Sequence, residues 1–383
     1  MASIARTFVD AVGHELTYLR RDRLALAMIT IMPLAVIVIV AAMLFSGVPR
    51  HLPVAIVDQD HSAFSRDIAT AAVGVAAITV AANPATLDEA QHLVRSGKVW
   101  AILLIPKGAG DGLTRWSRPA VFIFYNASYL SIGSTAGSGL EAAVKAVAAE
   151  HGAIALRQRG APDLRLQVPK VQASILLNPE ISYEWYLQSL INPGVLHLLA
   201  CCVAAAVVGR LAFNGSLGCV RSLSQSAAVL AGSLAPHIAM LSLWSLVWLL
   251  WLVGARGWQP LGSLALIVLA HILLLTASAS ISTLLIAVTR EINTAVSVSA
   301  VYAGSALAYS GATLSLNGAN GFARAWSSGL PFTAYLRIQM DQFVGALPVT
   351  ALSPLVLLAG YTLVPAALAL VLFRRRAGAP VAV

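Results

Sequence analysis

From Leu24 to Phe45 the chain runs without a single charged residue, directly after Arg20, Arg21 and Arg23. A helix needs about 20 consecutive apolar residues to cross the hydrocarbon core of a bilayer. Inside that core only helices and closed barrels satisfy every backbone polar group. The run is too long for the apolar region of a cleavable signal peptide, and its basic flank comes too late. Pro33 within it is tolerable in a spanning helix. The first element is therefore read as a membrane span.

Composition agrees. Charged residues make up 11% of the 383, against about 25% in soluble domains, and the mean hydropathy is +0.79. Five further runs have spanning character: Leu190 to Val208, Ala227 to Val253, Leu261 to Val288, Thr294 to Leu316 and Thr350 to Phe373. The expected fold is an α-helical polytopic membrane protein of six transmembrane helices with an inserted extracytoplasmic α/β domain. Its parts are a cytoplasmic amphipathic helix (1–23), the first span (24–45), the inserted domain (46–188), a five-helix membrane region (189–376) and a cytoplasmic tail (377–383).

Orientation follows from the basic residues near span ends, which stay on the cytoplasmic side. With the N-terminus inside, that side holds Arg6, Arg20, Arg21, Arg23, Arg210, Arg221, Arg290 and Arg374 to Arg376. The opposite short loops hold Arg256, Arg324 and Arg337. Both termini are expected in the cytoplasm. The twelve basic residues of the insert do not count against this, because long inserts translocate largely regardless of charge. The net charge of +9 then reflects this bias and contact with anionic lipid, not nucleic acid.

The insert alternates short apolar runs with helical stretches. Strands are expected at Pro53 to Val57, Ala76 to Ala81, Val99 to Ile105 and Ala120 to Phe124. Helices are expected at Ser62 to Val73, Thr86 to Ser96, Ala109 to Trp116 and Ser138 to Arg157, with an extended piece at Leu166 to Leu177. This predicts a small α/β domain with a partly parallel sheet. Asp58 and Asp60 fall where the first strand meets the first helix. Asp-x-Asp can ligate magnesium, but no Gly-rich loop, third carboxylate or Lys accompanies it. The pair is read as a cap and turn.

Chemical motifs are sparse. No G-x-x-x-x-G-K-[ST] occurs, so no P-loop ATPase is encoded. Cys201, Cys202 and Cys219 lie in or beside the second span without C-x-x-C spacing, which argues against a disulfide framework or metal site. No catalytic, cofactor or metal residue is expected. The acids outside the insert, Asp10, Glu15, Asp22, Glu291 and Asp341, sit at or beyond span ends, which disfavours an ion-coupled carrier.

Residues 3 to 19 form an amphipathic pattern, with Ile4, Phe8, Val12, Leu16 and Leu19 on one face and Arg6, Asp10 and His14 on the other. Glu15 interrupts it. The helix reads equally as an interfacial anchor and as a contact for a cytoplasmic partner. His197, His237 and His271 are read as hydrogen-bonded to neighbouring helices. Trp244, Trp248 and Trp251, with Trp258, Trp185, Tyr183 and Tyr186, are assigned mostly to the outer interface. Ala300, Gly304 and Ala308, with Ser297 nearby, make a small-residue face suited to close helix packing.

The whole layout resembles the permease subunits of ABC type-2 exporters, in the multidrug-efflux-like branch. The resemblance is carried by "LPVAIVDQDHSAFSR" (52–66), "LDEAQHLVRSGKVWAILLIPKG" (87–108), "FYNASYL" (124–130), "NPEISYEWYL" (178–187) and "LPFTAYLRIQMDQFVGALP" (330–348), in that order. It implies a bacterial inner-membrane exporter of a hydrophobic or amphiphilic compound. The partners it implies are separate ATPase subunits that hold ATP and magnesium, a second permease copy or sister, and a periplasmic adaptor. In "GRLAFNGSLGCVRSL" (209–223), Arg210, Gly215 and Ser216 match the family's ATPase-coupling stretch, while Leu211 stands where a Glu is usual. The expected coupling set is Arg210, Phe213, Asn214, Gly215, Ser216, Leu217 and Arg221, with Arg20, Arg21 and Asp22 at the end of the N-terminal helix. The competing reading from another class is a membrane scaffold whose outer domain binds envelope partners.

Overall fold

The computed structural model describes residues 2–44, 50–110, 121–125, 130–158, 183–214, 222–311 and 319–375. They fall into two compact units, one of Met1–Phe45 with Glu184–Val383, the other of Ser46–Tyr183.

The first unit is helical. It contains α1 (Ala2–Arg21), α2 (Arg23–Ile29) and α3 (Ile31–Leu44). Asp22 interrupts the first two: its carboxylate accepts the N–H groups of Leu24 and Ala25 at 3.0 Å and so caps α2. Then come α7 (Tyr183–Phe213), α8 (Leu223–Leu250), α9 (Leu264–Thr289), α10 (Ile292–Tyr309), α11 (Gly321–Ser328), α12 (Pro331–Phe343) and α13 (Leu352–Arg375). A π-helical turn, Trp251–Ala255, extends α8.

Among the described residues, five helical stretches are long and apolar enough to cross a membrane: Arg23–Leu44, Glu184–Phe213, Leu223–Ala255, Leu264–Thr289 and Pro348–Arg375. The segment expected as a further span corresponds to α10, which is not among the five. Asn293, Thr294, Ser297, Ser299 and Ser305 dilute its apolar character, and 312–318 lie outside the described residues. Glu184 to Gln188, assigned above to the insert, belong to α7.

The interior of this unit is more polar than its composition suggests. His197 Nδ1 lies 2.5 Å from Ser278 Oγ, and His271 Nδ1 lies 2.5 Å from Ser245 Oγ and 3.2 Å from Tyr335 Oη. Tyr335 donates to Gln339, whose amide donates to the Ser189 carbonyl at 2.7 Å. All but the Tyr335–Gln339 bond, which lies within α12, join two helices, and together they give these buried polar groups partners. Trp248 is fully buried and donates to Gln188, so it is a core residue instead of an interface marker. Glu184, also fully buried, accepts from Arg256 Nε at 2.9 Å.

The second unit is an α/β sandwich of β1 (Leu52–Asp58), α4 (Ala63–Val73), β2 (Ile78–Ala82), α5 (Leu87–Arg95), β3 (Ala101–Ile105), β4 (Phe122–Tyr125) and α6 (Leu130–Gln158). The sheet order is β2-β1-β3-β4, with β1 parallel to β2 and β3 and β4 antiparallel to β3. On one face Val54, Ile56 and Leu103 pack with Phe64 and Ile68 of α4 and Leu140 of α6. On the other, Val57 and Ile102 pack with Ala90 of α5. This two-sided burial explains why β1 and β3 read as continuous apolar runs. The helix expected from Ala109 to Trp116 falls almost wholly outside the described residues, and the piece from Leu166 to Leu177 wholly so.

At the end of β1 the cap of α4 is Ser62, whose Oγ accepts from Ser65 N at 3.2 Å. Asp58 makes the turn before it, accepting from the N–H groups of Asp60 and His61 at 2.9 Å and from Ser65 Oγ at 2.8 Å. Asp60 reaches across the sheet to the loop after β3, accepting from Gly108 N at 2.6 Å and Gly110 N at 2.9 Å. Among the described residues no three His, Cys, Asp or Glu side chains gather to hold a metal. Burial alone would raise the Asp60 carboxyl, but its bonds from Ser62 and the loop amides hold it below the ordinary 3.8. A lowered value stabilises the fold above the unfolded pKa and is lost as pH falls through the folded one. Asp60→Ala is expected to cost this unit about 1–2 kcal/mol at neutral pH. The deficit should shrink below about pH 4, as checked by chemical denaturation of the full chain at both pH values.

Candidate coupling face

α1 does not lie apart from the spans. It packs lengthwise along α8: Ser3 meets Gln225, Phe8 and Ala11 meet Gly232, and Glu15 meets His237. Gly232 permits this. A Cβ there would stand 2.6 Å from the Phe8 carbonyl oxygen and 2.7 Å from the Ala11 Cβ, too close for any larger residue. The buried stripe of α1 is Ala11, Glu15 and Leu19, while Ile4, Phe8, Val9 and Leu16 remain exposed. The helix therefore has two apolar sides, one for α8 and one facing outward.

Glu15, the residue that interrupts the sequence pattern, is the centre of this contact. Its side chain is 4% exposed. Arg210, in the last turn of α7, donates from one nitrogen to both carboxylate oxygens at 2.5 and 2.6 Å. His237 Nε2 stands 2.9 Å from the same carboxylate. The Arg210 guanidinium also lies over the Tyr18 ring at 3.4 Å, a cation–π contact. Tyr18 Oη donates to Asp22 at 2.6 Å. One polar chain thus runs from the cap of α2 through α1 to the end of α7 and the middle of α8.

The electrostatics follow from these bonds. Burial alone would raise the Glu15 carboxyl, but the bonds from His237 and Arg210 outweigh it and hold the group below the ordinary 4.5. The Tyr18 hydroxyl and the capped N–H groups likewise hold Asp22 below its usual range. Both carboxyls remain ionised at neutral pH. The Glu15 contribution is complete above the ordinary carboxylate range and is lost only as pH falls through the lowered value.

A polar recess of about 500 Å³ opens beside this cluster, lined in part by Asp10, His14, Glu15, Tyr18, Arg210 and Asn214. Phe213 stands 57% exposed at the end of α7, with Asn214 next to it. Arg20 and Arg21 are exposed in the last turn of α1. Gly215, Ser216, Leu217 and Arg221 lie outside the described residues. Of the expected set, the structure gathers Arg210, Asp22 and the recess at one place. Arg210 and Asp22 are already engaged within the chain, however, so they organise this face instead of offering free charge.

Over α10 the packed stripe is Ala295, Ser299, Ala303 and Ala306, with Ser299 Oγ 3.1 Å from Ser282 Oγ on α9. The small-residue face named from sequence is a neighbouring one. Ser297, Gly304 and Ala308 are exposed, Ala300 is half-buried, and a Cβ at Gly304 would meet nothing within 4 Å.

The family model for ABC-2 family transporter proteins matches residues 23–371. The chain belongs to the ABC-2 transporter family. No curated protein and no solved structure matches it significantly. ABC-2 permeases are membrane subunits, generally without an ATPase site of their own, and the family implies ABC ATPase partners. The matched range begins just after α1, so the match says nothing of the Glu15 clamp. Sequence reasoning missed that clamp because Glu15 read as a blemish on an apolar face. The signal that could have found it is that same acid, unpaired within its own helix face and needing a cation from elsewhere.

Removing one partner of a buried charge pair costs about 3–5 kcal/mol when the other is left uncompensated. Arg210→Ala should approach that range, since Glu15 stays buried. Glu15→Gln should cost less, because Arg210 is 24% exposed and can turn to water. Gly232→Val should separate α1 from α8 without touching any charge. Trypsin cleavage after Arg20 and Arg21 in reconstituted protein reports all three, with faster cleavage expected in the order Gly232→Val and Arg210→Ala, then Glu15→Gln.

Proposed function

We propose that this ABC-2 permease is half of an ATP-driven exporter that moves a hydrophobic or amphiphilic compound out of a bacterial cytoplasm across the inner membrane. α1 and the end of α7 form the surface on which a separate ATPase acts. The observation that supports it most is the clamp of α1, α7 and α8 on one buried carboxylate. Movement passes between chains only through an element with differential contacts in two states, and a helix pinned to two spans carries a push where a loose interfacial helix would dissipate it. Phe213 beside the recess is the apolar anchor of this reading, with Leu217 next in sequence.

The charge count along the sequence favours placing this face in the cytoplasm, with both termini inside, α10 as a sixth span and the α/β unit outside. The exposed Gly304 face of α10 suits a second permease copy, because small residues let helices approach closely. A periplasmic adaptor would meet the α/β unit.

Two experiments test the reading. Cysteine replacing Asp88 should react with an impermeant thiol reagent from outside the cell, and cysteine replacing Ser224 should not; labelling of the second from outside overturns the orientation. With an ATPase encoded beside this chain, Phe213→Ala combined with Leu217→Ala should abolish stimulated ATP hydrolysis while the protein stays in the membrane. Anchors of this kind contribute about 2 kcal/mol or more, roughly thirtyfold in affinity. A double variant that still stimulates places the contact elsewhere.

A further inference from the structure

A second cavity, of about 620 Å³, lies on the opposite side of α8 from the coupling recess and is almost wholly apolar. One wall is a ladder on α8 at every fourth residue, Ala227, Ala231, Ala235 and Ala239, of which Ala231 and Ala239 are exposed. α9 and α13 form the other walls, with Ala279 and Ala366 among the lining residues, and Phe8 of α1 closes one side. The result is a long, narrow groove running along the helices.

Its dimensions select an occupant. From Ala227 to Ser242 the α8 wall extends about 22 Å at 1.5 Å per residue. Opposite the α8 wall, Thr362 of α13 touches Thr276 of α9, hydroxyl to hydroxyl at 3.4 Å, and both line the cavity. From Thr362 the lining stripe of α13 descends through Ala366 and Leu370, and four residues further along the same face stands Arg374, exposed in the last turn. Twelve residues of helix cover about 18 Å. That is slightly more than half of a hydrocarbon core about 30 Å thick. With Arg374 placed at the headgroups, Thr362 stands near mid-membrane, and the α13 side of the groove lies within one leaflet.

We infer that this groove holds one acyl chain of an anionic phospholipid from the leaflet on the Arg374 side, with its headgroup at Arg374. Within a bilayer the apolar walls gain nothing from hydrophobicity, since lipid tails are as apolar as the walls. What a shaped groove adds is dispersion contact along the chain. Selectivity comes from the charge at its mouth, because a basic side chain near the surface attracts anionic lipid by about 1 kcal/mol. The inference needs only that α8, α9 and α13 span the membrane. It stands or falls independently of ATPase coupling and of which side is cytoplasmic.

The test uses the full chain in nanodiscs of mixed phosphatidylglycerol and phosphatidylcholine, with trace mid-chain photoreactive analogues of each. Peptides are mapped by mass spectrometry, and the lipid-facing helix α3 serves as the internal reference. The glycerol probe should label α8, α9 and α13 above α3, and over the choline probe by about fivefold, the ratio that corresponds to about 1 kcal/mol. Arg374→Gln should bring that ratio near one while labelling persists. Ala231→Leu with Ala239→Leu fills the groove from exposed positions and should reduce labelling to the α3 level. Unchanged labelling in the filled variant, or equal labelling by both probes in the unaltered chain, overturns the inference. So does efficient disulfide formation between copies carrying Ala239→Cys, which would give the groove to a second copy of the chain.

Discussion

One carboxylate determines how the N-terminal helix can sit. Glu15 is buried, and a buried charge is tolerated only when paired and hydrogen-bonded. Its partners come from two other helices, Arg210 on α7 and His237 on α8. An arrangement that leaves α1 in the interface, free of the spans, gives up the bonds from Arg210 and His237. The Gly232 crossing and the Tyr18 stack are consistent with a single position of α1 that satisfies the acid and both of its partners. Along the spans themselves the membrane offers no comparable selection, because apolar helices pack against lipid and against one another with similar ease.

The α/β unit is organised by different means. Its core is a doubly covered, mostly parallel sheet, and its Asp-x-Asp turn is a device for folding. Asp58 shapes the chain reversal, and Asp60 ties the end of β1 to the loop after β3, some 50 residues later. Two acids that could have suggested metal chemistry have their oxygens filled by backbone N–H groups and the Ser65 hydroxyl. The donors decide the meaning of such a motif, and donors that distant are invisible in a local stretch of sequence.

The periodicity of the chain made its spans and strands legible, because twenty apolar residues or an apolar run between turns leave few physical alternatives. β1, β3, α4 and α5 fall within a residue or two of their expected bounds. What escaped was pairing over distance. Gly232 carries no signal in its own stretch of sequence, yet it makes room for the backbone of α1. Trp248 looked like an interface marker by composition, yet lies in the core against Gln188. Glu184 seemed to belong with the insert but begins α7 in contact with Arg256. α10 is less apolar than the five long helices because short polar residues, which hardly disturb a run by eye, together lower its hydropathy. The resemblance to ABC-2 permeases compensated for much of this, since the order of segments identifies a family even where single contacts cannot be foreseen.

The separation of Glu15 from its partners also sets an order of assembly. Arg210 lies 195 residues later in the chain and His237 222 residues later. At about 5–20 residues per second of synthesis, the first of them emerges roughly 10 to 40 s after Glu15. During that interval the first span is in the membrane while the helix before it carries an uncompensated acid and must wait at the surface. Docking of α1 therefore comes after insertion of α7 and α8, as a late closing step. A copy that stalls before α8 is complete would keep α1 undocked, with Glu15 lacking the partners that a finished permease supplies.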